Sequence, residues 1–380
     1  MRSLSEKVGA IAPSATIEIS NKAKKMEREG IDVISLSIGE PDFSTPQHIT
    51  DACTDALKRG ETHYAPSNGI PELLSAVSDK ITKENRFPCK PEQVIVTPGA
   101  KQAIYEGMEA AINPGDEVIL LTPAWVSYEP CVQMAGGKVV KHAISEKTFQ
   151  LDDSLQKRIN AKTKMIVVNS PSNPTGAVFN RESLKLVADL CTDYDLYAMS
   201  DEIYEKLVYG KEHISIASLG DMAERTITIN GFSKAYAMTG WRLGYAVAPA
   251  GIIREMSKVQ QHSVSQATTF AMWGAVAALK GDQTCVEDMR KEFDRRRQYM
   301  ISELNLMGYR TAPADGAFYA FVKVDGDDMA IATQWLEKAH VAATPGAAFD
   351  APGWIRLSYA ASLDRLKEAM GRIRRLGSGK

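Results

Sequence analysis

The sequence predicts an α/β fold: a mostly parallel sheet with helices on both faces, followed by a smaller α+β unit. Helix-like and strand-like apolar runs alternate from Gln47 to about Val247, the imprint of parallel strands joined by crossover helices. Three of the strand-like runs are short, almost wholly apolar, and end in polar or turn residues. They are Val94-Ile-Val-Thr-Pro-Gly99, Met165-Ile-Val-Val-Asn-Ser-Pro171 and Leu196-Tyr-Ala-Met-Ser-Asp201. Such runs read as strands buried on both faces. In open sheets of this class, ligands gather outside the carboxyl ends of the strands.

The first run is expected to pass through a tight turn at Gly99 into a helix over 102–111, where apolar spacing becomes helical. The second ends in Asn173-Pro-Thr-Gly176, which is good turn chemistry. The third ends in Ser200-Asp201-Glu202, where Asp201 either caps the next segment or offers a carboxylate to a ligand. Helix signals dominate from Ile252 to Leu306. Beyond Tyr309 short strands and helices alternate over 316–322, 329–339, 354–359 and 363–376. No internal repeat or low-complexity linker interrupts the chain.

The most informative segment is Asn230-Gly-Phe-Ser-Lys-Ala-Tyr-Ala-Met-Thr-Gly-Trp-Arg-Leu-Gly-Tyr245. It sets Lys234 beside Ser233 in a hydroxyl-rich turn, with Arg242 eight residues on. A lysine amine forms a reversible Schiff base with an aldehyde cofactor. An arginine and a serine hydroxyl suit the phosphate of such a cofactor. Asp201 suits a protonated pyridine nitrogen. Asn173 and Tyr204 can reach a ring oxygen. Gly99 and Ala100 let backbone amides at a helix start approach phosphate.

Taken together, these segments resemble the class I aminotransferases of pyridoxal-phosphate fold type I, over most of the chain from Pro13 to about Arg375. The ordered set is Gly39-Glu-Pro-Asp42, Tyr64-Ala-Pro66, Asn173-Pro-Thr-Gly176, Ser200-Asp-Glu202, Ser233-Lys234, Arg242 and Arg356 in Ile-Arg-Leu-Ser-Tyr. The resemblance implies a large domain over 45–280 with a seven-stranded sheet, and a small domain made from 1–44 and 281–380. It implies pyridoxal 5'-phosphate held as a Schiff base on Lys234, which then moves protons in a ping-pong transamination. Asp201 would pair with the ring nitrogen, Asn173 and Tyr204 with the ring oxygen, and Trp125 would stack on the ring. Ser233, Arg242, Gly99 and Ala100 would hold the phosphate, joined by Tyr64 from the neighbouring subunit of a homodimer. Arg356 would grip the substrate α-carboxylate beside the Gly39 backbone.

Within the family, Gly99-Ala-Lys101 and Pro13-Ser-Ala-Thr16 resemble a bacterial and archaeal aspartate aminotransferase subgroup. That likeness gives Lys101 the second carboxylate of a dicarboxylic substrate, while the 13–16 stretch would lie over the substrate. Aspartate with 2-oxoglutarate is therefore the expected pair. Aromatic amino acids, prephenate, phosphorylated furan aldehydes and carbon–sulfur β-elimination remain alternatives on the same scaffold.

Composition narrows the rest. With 380 residues, of which 44% are hydrophobic, the chain can bury a large core. A net charge of −2 with no basic block argues against nucleic acid as a partner. Arg295-Arg-Arg297 and Arg372–Arg375 have acidic neighbours and read as solvated helix faces. The five cysteines show no metal or redox spacing, and no apolar run approaches a membrane span. The N-terminal residues lack a signal-peptide apolar region. No metal site and a cytoplasmic location are the corresponding expectations. A dinucleotide-binding oxidoreductase is disfavoured because no Gly-x-Gly-x-x-Gly run is present. A regulator would need a DNA-binding appendage for which the chain has no spare length.

Overall fold

The structure, a computed structural model, describes residues 4–9, 11 and 15–377. Pro13 and Ser14 of the expected substrate-covering stretch, and the tail Ser378–Lys380, lie outside the described residues. A seven-stranded sheet forms the large body. From edge to edge its strands run Val94–Thr97, Gly244–Val247, Thr226–Gly231, Tyr197–Asp201, Thr163–Asn169, Glu117–Thr122 and Lys138–Ala143. All are parallel except Gly244–Val247, which is antiparallel to both neighbours.

Apolar residues on each face of the sheet explain why its central strands carry no polar alternation. One face packs Ile95, Val118, Leu120, Met165, Val167 and Met199 against helices Ala100–Ala111 and Ala250–Ser263. The other packs Ile119, Ile166, Val168 and Ala198 against helix Arg181–Asp193. Helices Pro71–Lys80 and Thr269–Lys280 cover Val94, Val96 and Tyr245 at the sheet's edge. The helix after Gly99 begins at Ala100, two residues before the apolar pattern places it. Lys101 and Gln102 are polar first-turn residues, so periodicity is silent there.

A second body holds a three-stranded antiparallel sheet of Thr344–Pro345, Trp354–Ser358 and Tyr319–Lys323. Helices Asp328–Ala339 and Leu363–Arg375 pack on it. The N-terminal segment joins this body: Ile34–Ser35 pairs in parallel with Val341–Ala342, and Ile19, Ala23 and Leu36 enter the same core.

Two arginines of the supposed solvated clusters are not solvated. Arg296 is only 5% exposed. It pairs with Asp42 at 2.7 Å and Glu292 at 2.8 Å, and lies over the rings of Phe43 and Phe293. Arg372 is largely covered and reaches Asp32 and Glu368. Both tie a long helix to the N-terminal segment, which no local run of sequence could announce.

Candidate active site

Sheet topology builds the site. The parallel strands all deliver their carboxyl ends to one edge, where Asn169 is the register partner of Asp201. The antiparallel strand presents its beginning there, with Gly244 opposite Thr97. That reversal brings Arg242 to Gly99. A Cβ on Gly99 would lie 2.5 Å from the Arg242 guanidinium, and Gly99 adopts φ +88°, so only glycine fits.

The resulting cleft has a volume of about 770 Å³. Gly39, Ala100, Lys101, Trp125, Asn173, Asp201, Tyr204, Ser233, Lys234, Arg242 and Arg356 all line it, which gathers eleven of the thirteen residues singled out in the sequence. Gly99 stands behind Arg242 rather than on the cleft surface. Tyr64 does not reach the cleft of its own chain. It is 92% exposed, on a separate depression with Gln266 and Thr269.

At the cleft floor, Asp201 is 3% exposed. Its Oδ2 accepts from the Tyr128 hydroxyl at 2.6 Å and its Oδ1 from the Ile203 amide at 3.2 Å. Among the described residues it forms no ion pair. Burial raises its pKa to about 6, against the pull of the Tyr128 bond. A buried carboxylate bonded but not neutralised is suited to a cationic ligand group.

Lys234 follows strand Thr226–Gly231 and is half-buried. Its Nζ donates to the Gly39 carbonyl at 2.7 Å. Burial brings its pKa down to about 8, opposed by Glu40 and assisted by Arg356 and Arg242. The Gly39 backbone approaches so closely that a Cβ there would sit 2.2 Å from the Tyr319 hydroxyl.

Arg356 lies in strand Trp354–Ser358 and is 5% exposed. It donates to Asn173 Oδ1 at 2.8 Å and to the Ser37 carbonyl at 2.6 Å, sandwiched between the rings of Tyr319 and Phe349. Burial lowers its pKa. It has no acidic partner among the described residues, and its Nε is buried without a partner. A buried guanidinium so held is suited to a carboxylate. With Oδ1 occupied, the Asn173 amide nitrogen is left as the donor.

At one end of the cleft, helix Ala100–Ala111 starts without a side-chain cap. Its first-turn amides and positive dipole end lie beside Arg242 and Ser233, a set that fits a phosphate. Lys101 Nζ stands 5.0 Å over the Trp125 ring. Five cationic side chains line the cleft against two carboxylates: Lys24, Lys101, Lys234, Arg242 and Arg356 against Glu40 and Asp201. The cavity therefore favours anionic ligands.

Sequence reading missed Tyr128, Tyr319 and Asn169. Tyr128 bonds Asp201 and meets Trp125 edge-on at 5.4 Å. Tyr319 shares a 2.7 Å hydrogen bond with the Tyr204 hydroxyl. The Asn169 side chain donates to the Asp201 backbone carbonyl and accepts from the Asn173 backbone N–H. The spacing of Tyr128 one turn after Trp125 was the available signal.

Comparison with known proteins identifies the family. Residues 31–373 match the family described as aminotransferase class I and II. An aspartate aminotransferase of Bacillus subtilis is 43% identical, covering 98% of each chain. An aspartate/prephenate aminotransferase of Thermus thermophilus is 42% identical, covering 99% of each. The solved structure of an aspartate aminotransferase from Thermus thermophilus with maleate superposes with a TM-score of 0.96 at 42% identity, covering 99% of this chain and 100% of that one. With a family match over nearly its whole length and full-length relatives that transfer amino groups, the chain belongs to the class I and II aminotransferases and is an aminotransferase.

Proposed function

We propose that the protein uses pyridoxal 5'-phosphate to transfer the amino group of aspartate to 2-oxoglutarate, as a cytoplasmic homodimer with ping-pong kinetics. The observation that carries this reading is the pairing of unsatisfied charges in one cleft: buried Asp201 without a cation, and buried Arg356 without an anion. A protonated ring nitrogen answers the first and a substrate α-carboxylate the second. The Ser233, Arg242 and Ala100 set fits the phosphate.

When bound, pyridoxal phosphate supplies an aldehyde for amine capture and a ring that withdraws electrons from the substrate α-carbon. The chain's own groups do the rest. Lys234, with its pKa brought to about 8, exchanges protons near neutral pH. Asp201 holds positive charge at the cleft floor. Trp125 offers a stacking face, while the Asn173 amide and the Tyr204 hydroxyl offer bonds to a ring oxygen. Arg356 orients the α-carboxylate as a fork. Lys101 at the rim meets a second carboxylate. Tyr64, exposed in one chain, would complete the phosphate site from a neighbouring subunit.

The relatives named for aspartate support the donor. The Thermus thermophilus relative is also named for prephenate. Prephenate carries two carboxylates, so Lys101 suits it as well, and it stands as the second reading. The proposed division at 45–280 against 1–44 and 281–380 draws support from the pairing of Ile34–Ser35 with Val341–Ala342. All five cysteines are free, which fits a reducing compartment.

The reading is tested by steady-state kinetics of the cofactor-loaded protein with aspartate, phenylalanine and alanine as donors to 2-oxoglutarate, and with the same three and glutamate as donors to prephenate. Oxaloacetate formed with a kcat/KM at least about tenfold above the neutral donors is expected, given what one added charge contact contributes. A neutral donor in the lead would overturn the aspartate assignment and leave the family intact.

A further inference from the structure

Beneath the cleft lies a second polar cluster that the reaction does not use directly. Residues 203–206 form a turn, fixed by Glu205 N–H to Glu202 O at 2.9 Å and Leu207 N–H to Tyr204 O at 2.8 Å. Asp201 and Tyr204 line the cleft. Glu202 and Glu205 face the other way, into the protein.

There, Glu202 is 1% exposed and fully bonded. Its Oε1 accepts from Ser200 at 2.8 Å and Ser215 at 2.7 Å. Its Oε2 accepts from Asn85 at 2.9 Å and lies 3.1 Å from His213 Nε2. Glu205 accepts from Lys80 and, at 2.8 Å, from Asn85. Lys80 also donates to Asn85 Oδ1 at 2.6 Å.

Glu202, Glu205 and His213 have the composition of a metal site. Every carboxylate oxygen of the two glutamates is already engaged, however, and the Lys80 ammonium supplies the positive charge. The cluster is instead a clamp. It joins residues 80–85 to residues 200–215, more than a hundred positions on, and its buried charges are satisfied in this arrangement.

We infer that Glu202 is a positioning residue for the transamination site: the buried clamp around it fixes the 201–206 segment so that Asp201 and Tyr204 stand correctly in the cleft. This rests on the reading of those two residues as cofactor ligands.

The test compares cofactor-loaded Glu202→Gln, Ser215→Ala and Asp201→Asn with the parent. It reads kcat, KM for aspartate, melting temperature, and the affinity of cofactor-free protein for pyridoxal phosphate by tryptophan quenching. Glu202→Gln is expected to lower kcat by about 10- to 100-fold, the scale of a small misplacement at a reacting centre. KM for aspartate should change less than about threefold, because Arg356 and Lys101 lie outside the clamp, and pyridoxal phosphate affinity should fall. Ser215→Ala removes one donor and should act in the same direction by roughly threefold, scaled from one hydrogen bond. It decides the matter if Glu202→Gln does not fold.

Parent-like kcat and pyridoxal phosphate affinity in Ser215→Ala, and in Glu202→Gln if it folds, would overturn the inference whatever the melting temperatures. Turnover retained in Asp201→Asn would overturn the underlying reading of Asp201 instead. An inactive Asp201→Asn beside parent-like clamp variants would refute the clamp alone.

Discussion

Replacing Arg356 by lysine isolates what the guanidinium fork contributes. The substitution keeps a positive charge in a site that is 5% exposed, so the cleft's charge balance survives. What is lost is geometry. Lysine is a compact point charge that cannot span Asn173 Oδ1 and the Ser37 carbonyl, nor lie flat between Tyr319 and Phe349. Nor can it bind a carboxylate through two parallel bonds. Losing roughly two charge-assisted hydrogen bonds at about 1.5 kcal/mol each gives about 3 kcal/mol. That corresponds to roughly 150-fold in kcat/KM. Every amino acid carries an α-carboxylate, so aspartate and alanine should lose by about the same factor. Initial rates with each donor against saturating 2-oxoglutarate measure this. A loss below about threefold, or one confined to aspartate, would refute the placing of the α-carboxylate on Arg356.

Lys101→Ala should show the opposite selectivity, lowering kcat/KM for aspartate by about 10- to 100-fold, the value of one charge-assisted contact, and for alanine by little; equal losses would remove Lys101 from specificity. The rate at which cofactor-free protein captures pyridoxal phosphate should rise with pH through about 8, because only the neutral Lys234 amine attacks the aldehyde. Stopped-flow absorbance from pH 6 to 9 measures it, and a flat profile contradicts the assignment. Glu106 is buried, with one oxygen bonded to Gln102 and the other without a partner among the described residues. Burial raises its pKa from 4.5 to about 7. A raised folded-state pKa gives stability that is full below about pH 4.5 and lost as pH climbs through 7, up to about 3 kcal/mol at 1.36 kcal/mol per unit. Glu106→Gln should therefore raise the melting temperature at pH 8 relative to the parent and lose most of that advantage by pH 5; an equal shift at both would show that the fold does not raise the pKa of this carboxyl.

The strands and the residues at their ends were legible because burial on both faces writes a continuous apolar run, and because Lys234, Asp201, Asn173 and Arg242 each follow or precede one. Tyr128 and Tyr319 were not legible, for the same reason in reverse. Each sits in an apolar stretch where an aromatic ring is core by default, and only the fold brings the Tyr128 hydroxyl within 2.6 Å of Asp201. Arg296 looked solvated because its acidic neighbour Glu292 is local, whereas Asp42 and the Phe43 ring are some 250 residues away in sequence. Lys80 and Asn85 carried no signal at all. A lysine in an amphipathic helix is ordinarily a surface charge, and its partner Glu205 arrives only through tertiary packing. Tyr64 is the converse case: its proposed place at a neighbouring subunit's phosphate site rests on the family resemblance, and in a single chain the residue is 92% exposed.

The central claim is that this cleft exchanges amino groups on pyridoxal phosphate with dicarboxylic substrates. A single-turnover absorbance scan of the purified, cofactor-loaded protein tests it most directly, with L-aspartate, L-glutamate, L-phenylalanine and L-alanine added separately and no acceptor present. Rapid loss of the lysine-bound cofactor band with aspartate and glutamate, and slow loss with the other two, is the predicted result. No change in the band with any of the four would contradict the claim outright, and a response led by phenylalanine would contradict the part that rests on Lys101.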